Sequence, residues 1–402
     1  MSARAQGSAA DVATRPAGPL VAAAGAAFVL FAFVLPGSIA PMGIGAALCG
    51  ALTIAAIASG RARWPYTPVN LAWLGWLLAL LLSAVFAVDR GASLPRLGKG
   101  FMPLLVGLAA LHGADRRTGE RALAAYLAAS GVVAALGIGL WLAHGASFES
   151  RARGLSGHYM TFAGQLLLEL PVALGVALLA RGRRWRLGAA AVAVVGLVAL
   201  AATFTRSAWI GLLVSGAVLL GACAPLGLVA LALLAVAAWF LTPGTLGERV
   251  RSVFDPANKW NEERMHMWDA GLRMFRDHPL TGVGLQDLHA LYDRYRSPAA
   301  VERAGHLHNV VVQIAATMGV VGLAAFTWLY GSLVSAASAG LRPLVKRRGL
   351  AAGLKLGVTA ALAGFLVAGF FEWNFGDEEL LYPLFTLVGL AWAAGAWDGP
   401  EA

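Results

Sequence analysis

Twelve apolar runs, each near the length that carries a helix across a bilayer, account for most of this chain. Hydrocarbon offers no water to satisfy backbone amides, so each run must pair its own backbone as a helix. The runs are 18–35, 40–59, 68–88, 98–112, 119–142, 160–180, 186–204, 206–222, 224–241, 309–331, 351–371 and 380–397. A content of 59% hydrophobic against 13% charged residues, with a mean hydropathy of +0.70, excludes a soluble globular domain. The expected fold is an all-α polytopic membrane protein with about 12 transmembrane helices. Its parts are a cytoplasmic tail 1–17, spans one to nine within 18–241, a polar outer segment 242–308, and spans ten to twelve with a short cytoplasmic tail within 309–402.

Charge in the short connections sets the orientation. Arg4, Arg15, Arg61, Arg63, Arg116, Arg117, Arg121, Arg181, Arg183, Arg184, Arg186, Arg342, Lys346, Arg347, Arg348 and Lys355 fall on one side of a twelve-span arrangement. Arg90, Arg96, Lys99, Arg151, Arg153 and Arg206 fall on the other, so the count is 16 against 6. The positive-inside rule makes the richer side cytoplasmic, with both termini inside and 242–308 outside. About half of the basic residues behind the net charge of +10 are therefore topology determinants, and no nucleic-acid partner is expected. Cys49 and Cys223 lie in separate spans and cannot pair, so packing rather than a disulfide must hold the outer segment. The first apolar stretch has no convincing cleavage site and reads as an anchor. Gly353 and Gly357, at GxxxG spacing, suit close helix packing in lipid.

Within the outer segment, residues 257–276 read as an amphipathic helix opened by Asp255-Pro256 and closed before Asp277-His278-Pro279. Trp260, Arg264, Trp268, Leu272 and Phe275 recur at spacings of three and four and share one face. Two readings of Arg264 follow: its stem snorkels along an interfacial helix, or the stripe docks on the membrane domain and aims the guanidinium at a bound anion. Pro279-Leu280-Thr281-Gly282-Val283-Gly284 marks a tight turn without a preceding strand, which rules out a dinucleotide site. Residues 285–296 read as a second short amphipathic helix.

Several charged groups sit where lipid disfavours them. Arg206 lies at an outer boundary between two apolar runs and needs a partner; it is an interface anchor or, with Arg264, a clamp for pyrophosphate. Arg151 and Arg153 lie on the same outer side and can join that field. His308 opens the tenth span and Asn309 can cap it. The positive end of that helix points outward and attracts phosphate, and an ordinary histidine titrates near ~6.5, suitable for a base. His306 and His308 are also half of a metal site, but no third ligand is evident in the sequence, and no metal is expected. For Glu169, inside the sixth span, and for Glu372 and Asp377, beside the last outer connection, a structural ion pair and a functional role stand level.

Thr205-Arg206-Ser207-Ala208-Trp209, then Arg264 with Trp268 and the Asp277–Gly284 turn, then His308-Asn309 with a nine-residue spacer before Gly319-Val320-Val321-Gly322, form an ordered set. This set resembles the O-antigen ligase and polymerase superfamily, and the last element looks most like O-antigen ligase. The resemblance implies a GT-C-type membrane glycosyltransferase with a large periplasmic loop, seated as a monomer in the lipid of the bacterial inner membrane. Such an enzyme moves a glycan from undecaprenyl pyrophosphate to a terminal sugar of lipid A-core oligosaccharide, without cofactor, metal or nucleotide sugar. It implies that Arg206 and Arg264 bind pyrophosphate and that His308 is the essential histidine, with Asn309, Trp268 and His306 in support. The first outer connection, 36–41, has no carboxylate of the kind that metal-dependent GT-C enzymes use there. Polymerase and protein O-oligosaccharyltransferase activities use the same donor. A lipid-glycan flippase is the competing class, but neither internal repeats nor broken charged helices at mid-membrane are evident in the sequence.

Overall fold

The computed structural model describes residues 18–255 and 257–397; Arg4, Arg15, Pro256 and both terminal tails lie outside the described residues. Every regular element among them is helical. In chain order these are α1 (Pro19–Val34), α2 (Ile39–Ala58), α3 (Val69–Val85), α4 (Arg90–Ser93), a 3₁₀ stretch (Leu94–Phe101), α5 (Leu104–Gly113) and α6 (Arg116–Ala143). Then follow α7 (Tyr159–Leu179), α8 (Arg183–Ala202), α9 (Arg206–Cys223), α10 (Gly227–Leu241), α11 (Gly244–Arg251), α12 (Lys259–Asp277) and α13 (His289–Tyr295). The chain closes with α14 (Val310–Ser338), α15 (Leu341–Arg347), α16 (Leu350–Ala368) and α17 (Glu378–Ala394). Among the described residues, eight helical stretches are long and apolar enough to cross a membrane, or nine if α10 and α11, bent by 116° at their junction, count as one. The shorter apolar α1 and α3, with α17, occupy the remaining expected ranges.

Two boundaries and two buried charges differ from expectation. The fourth run is split: the 3₁₀ stretch containing Pro95 ends before α5 begins beyond Pro103. The polar segment opens with an additional helix, α11. Lys355, counted among the inner-surface charges, is buried at 1% exposure and donates from Nζ to the Ala391 carbonyl at 3.0 Å. Glu169 has no arginine partner: it is buried in α7 with Oε1 unbonded, and it forms no ion pair among the described residues.

α7, α9 and α16 meet through glycine. A Cβ on Gly175 of α7 would strike the Gly353 carbonyl oxygen, and one on Gly357 would lie 2.6 Å from the Val172 Cα. On the other side of α16, Gly364 faces Gly211 of α9, where a Cβ at Gly211 would approach the Gly364 oxygen to 2.6 Å. Small residues let backbones approach closely where lipid provides no hydrophobic drive between helices. The approach brings together the outer ends of α7, α9 and α16, where Tyr159, Arg206 and the 369–377 turn lie.

α14 joins this group at its start. The Val310 amide donates to the Gly369 carbonyl at 2.7 Å, and Asn309 Nδ2 donates to the Phe370 carbonyl at 2.9 Å. Further along, α14 breaks at Gly319 (φ 64°, ψ −158°), about 13.5 Å beyond Val310 by helical rise. The turn at Pro279–Gly284 fills the break. The Val320 and Val321 amides donate to the carbonyls of Pro279 (2.8 Å) and Leu280 (3.2 Å), while the Val283 and Gly284 amides donate to those of Ala316 (2.8 Å) and Thr317 (3.0 Å). Gly282 (φ 69°) and Gly319 adopt the left-handed backbone this clasp requires, and a Cβ on either would collide with the opposite strand of backbone. Non-helical backbone at this depth is tolerable because protein satisfies it.

The α12 stripe is corrected by the structure. The buried residues are Glu263, Met267, Ala270, Gly271 and Met274, whereas Trp260 and Leu272 are 48% and 45% exposed. Small Ala270 and Gly271 allow α12 to close on α14: a Cβ at Gly271 would lie 2.6 Å from both Leu307 and Val312 side chains. Spacing of the aromatic residues alone selects the wrong face, because close approach favours small side chains.

The packing predicts that Gly357→Leu, which adds volume against the α7 backbone, destabilises the protein by about 1–3 kcal/mol or more. Thermal unfolding in detergent should show a clear drop in midpoint, while Gly60→Ala, at a position with open space around it but positive φ, should cost less.

Candidate active site

Four arginines converge above the outer ends of α7 and α9. A cavity of about 160 Å³ is lined by Arg151, Arg206, Arg249 and Arg264, with His308, Tyr159 and Thr205 completing its wall. Arg206 begins α9 and is only 7% exposed. Its Nη1 donates to the Ser252 carbonyl at 2.5 Å and to Ser252 Oγ at 3.0 Å, and its Nη2 donates to Asn261 Oδ1 at 2.8 Å. It therefore ties the outer segment to the membrane domain as well as lining the cavity. Arg151 is packed between aromatic faces, its guanidinium carbon 3.7 Å from the Phe148 ring centre and 4.2 Å from that of Tyr159. Arg249 and Arg264 each bury an Nε that has no hydrogen-bond partner in the protein.

Crowding of like charges has an electrostatic consequence. Burial, together with the neighbouring guanidiniums of Arg151 and Arg264, lowers Arg249 to about 10 despite a favourable contribution from Tyr159. Arg151 is lowered as well, chiefly by burial. An anion in this cavity would relieve repulsion and supply the missing acceptors. Glu263 and Glu302 also line it, but Glu263 already accepts from the amides of Val301 (3.1 Å) and Glu302 (3.2 Å).

His308 sits between this cavity and a larger one of about 530 Å³, which reaches down between α7, α9 and the end of α16. Its backbone is left-handed (φ 46°), a conformation that costs a non-glycine residue on the order of 1–3 kcal/mol and that tertiary bonds must hold. Asn309 next to it caps α14, its Oδ1 accepting from the Val311 (2.9 Å) and Val312 (3.1 Å) amides. His308 Nδ1 lies 3.0 and 3.1 Å from the two oxygens of Glu372. Burial pushes the Glu372 carboxyl up, but its bond with His308 and the charges of His308, His306 and Arg264 bring it below the ordinary carboxylate value. An ionised carboxylate only accepts, so Nδ1 carries a hydrogen, and in the neutral ring Nε2 then keeps its lone pair. That is the tautomer of a base oriented by an acid.

The ring centre of His306 lies 4.1 Å from that of His308, the planes tilted by 54°, and its Nδ1 is buried without a hydrogen-bond partner among the described residues. Burial, and then the adjacent His308 charge, lower His306 to about 4. Glu372 supplies the third ligand that the sequence does not reveal: donor atoms of His306, His308 and Glu372 lie within 4.8 Å of one another, so these residues form a set able to hold a metal ion.

The expected site residues thus separate. Arg206, Arg264, Arg151 and His308 come together at one cavity, and His306 lies beside them. Arg153 is exposed and lies outside these cavities. Trp268 packs in the small core of the outer segment with Met267, Leu291 and Leu307 rather than in the cavity wall. Asp377 is raised by burial and accepts from Thr161 Oγ1 at 2.7 Å, and Glu378 pairs with Lys99 at 3.2 Å. Arg249 and Tyr159 are additions from the structure. Arg249 carries no motif, and only the sharp turn from α10 into α11 swings it over the site.

Taken together, the fold and site define a polytopic helical membrane protein with an arginine-lined outer cavity and an oriented histidine. Residues 191–327, about a third of the chain, match the family model described as O-antigen ligase. The matched region contains Arg206, Arg249, Arg264 and His308, but neither Arg151 nor Glu372. No curated protein matches the chain.

The displacement of His306 carries a sign. Its folded value lies below the unfolded value of about 6.5, so the unfolded chain binds more protons between the two. Stability is present above about 6.5 and is lost as pH falls toward about 4. Thermal midpoints should fall over that window in the wild type and fall less in His306→Gln; parallel curves for the two proteins would remove this contribution.

Proposed function

We propose that the protein is an O-antigen ligase of the GT-C type that transfers a glycan from undecaprenyl pyrophosphate to a hydroxyl of lipid A-core oligosaccharide. The reaction takes place at the periplasmic face of the inner membrane. The observation that carries this reading is the cavity lined by four arginines and His308, with His308 also lining the adjoining larger cavity and held at Nδ1 by Glu372. His308 takes the acceptor proton as the hydroxyl oxygen bonds to the anomeric carbon. The bond to the pyrophosphate oxygen breaks, and the leaving charge stays on the arginines. A single displacement inverts the anomeric centre. Guanidiniums supply the counter-charge in this scheme, so it routes no step through a metal. Arg206 and Arg264 bind the pyrophosphate with Arg151 and Arg249, while Asn309 and Glu372 hold His308 in place.

Purified protein given the lipid-pyrophosphate donor together with either lipid A-core or a second donor molecule should lengthen lipid A-core. Lengthening of the second donor instead would assign polymerase activity, and movement of the donor across liposomes without transfer would assign a flippase. His308→Ala should lower the transfer rate by at least ~10²-fold, the scale of a lost general base. Arg206→Ala and Arg264→Ala should lose transfer with weakened donor binding. Normally inserted variants that ligate at the wild-type rate would remove these roles. For the orientation, a cysteine at exposed Arg303 should react with a membrane-impermeant maleimide from outside, and one at Arg342 only after lysis.

A further inference from the structure

A third cavity, of about 130 Å³, lies on the far side of His306 and is not used by the donor scheme. It shares His306, Trp373 and Gly376 with the large central cavity and shares no residue with the arginine cavity. The three therefore form a row: guanidiniums at one end, His308 and His306 along the middle, and this pocket at the other end. An in-line displacement needs the leaving group and the nucleophile on opposite sides of the anomeric carbon. With pyrophosphate on the arginines and the donor sugar in the central cavity, the acceptor must arrive from the third.

Its lining suits a sugar. Trp76 and Trp373 offer aromatic faces, and Gln286 and Gln313 offer amides. Gln286 uses its Nε2 on the Val283 carbonyl at 3.3 Å, and Gln313 uses its Oε1 on the Leu307 amide at 2.8 Å, which leaves one acceptor and one donor group for a ligand. At the mouth stand two cations. Lys99 is occupied by Glu378 at 3.2 Å and the Gly376 carbonyl at 3.0 Å, whereas Arg96 is exposed, feels the Asp287 carboxylate, and makes no direct ion pair among the described residues. Resting on the ligase reading, we infer that this cavity is the acceptor subsite, and that Arg96 selects an acceptor saccharide bearing an anionic group next to the reacting sugar.

The test is steady-state transfer with lipid A-core as acceptor, measured for wild type, Arg96→Ala, Arg96→Glu, Arg96→Lys and Leu285→Trp, the last filling the cavity from its loop wall. Arg96→Ala should raise acceptor KM about 10-fold, the scale of a lost hydrogen bond to a charged group. Donor KM and kcat should hold within about 2-fold on the same scale. Arg96→Glu should be worse, Arg96→Lys should recover most of the effect, and Leu285→Trp should raise acceptor KM with donor KM unchanged. Loss of the Arg96 effect on phosphatase-treated acceptor identifies phosphate as the anion; persistence identifies a sugar carboxylate. Acceptor KM unmoved in Arg96→Ala and Arg96→Glu, or donor KM raised in step with it, overturns the subsite while the ligase reading stands. Wild-type protein that transfers to neither lipid A-core nor a second donor overturns the ligase reading itself.

Discussion

A break in one membrane helix organises the outer half of this protein. In an unbroken α14, the amides of Val320 and Val321 would bond to the carbonyls of Ala316 and Thr317. At Gly319 both pairs are opened, and all four groups are satisfied by the backbone of the Pro279–Gly284 turn. Each unpaired backbone group at this depth would cost several kcal/mol, so the turn and the break stabilise one another and neither is tolerable alone. The Ser83 hydroxyl adds a fifth bond, donating to the Thr317 carbonyl at 2.7 Å, and the Val88 amide donates to the Val283 carbonyl at 3.0 Å. The outer segment is thus anchored to α14 and to the end of α3 without a disulfide.

The clasp has consequences at the site. It fixes the far end of α12, which also packs by Gly271 against Leu307 and Val312 at the start of α14. At the near end of α12, Asn261 and Ser252 hold Arg206. Arg264, one turn further along the same helix, is thereby set over the outer end of α9. His308 is fixed from below, through the bonds of Val310 and Asn309 to the turn after α16. The same turn carries Glu372, so the element that holds the histidine's backbone also orients its ring. A strained backbone at His308 persists because these contacts over-determine it.

Charge is distributed along the same axis. Guanidiniums gather where the leaving group is proposed to sit. Four guanidiniums there outnumber the two carboxylates of the same wall, Glu263 and Glu302, so the field of the cavity is net positive. At the opposite end, Lys99 pairs with Glu378, and Arg96 makes no direct ion pair among the described residues. The arginine cavity and the cavity beside Arg96 share no wall residue, which is the separation that the proposed joining of two lipid-borne substrates would need.

The sequence by itself determined the membrane class, because runs of apolar residues in hydrocarbon have no choice but to be helices. It also singled out Arg206, Arg264 and His308, since a charge at a lipid boundary and a histidine opening a span are anomalies visible without a structure. The glycine-rich turn 279–284 was legible as a turn, but its partner was not, because a backbone exchange across separate segments leaves no periodicity. Periodicity misplaced the buried face of α12 for a related reason: the contact is made by the small Ala270 and Gly271, which hydrophobic spacing overlooks. Glu372 and Arg249 were decided by tertiary structure alone. They are brought to the site by the turn after α16 and by the bend between α10 and α11, and nothing local in either sequence records which distant residue it will face.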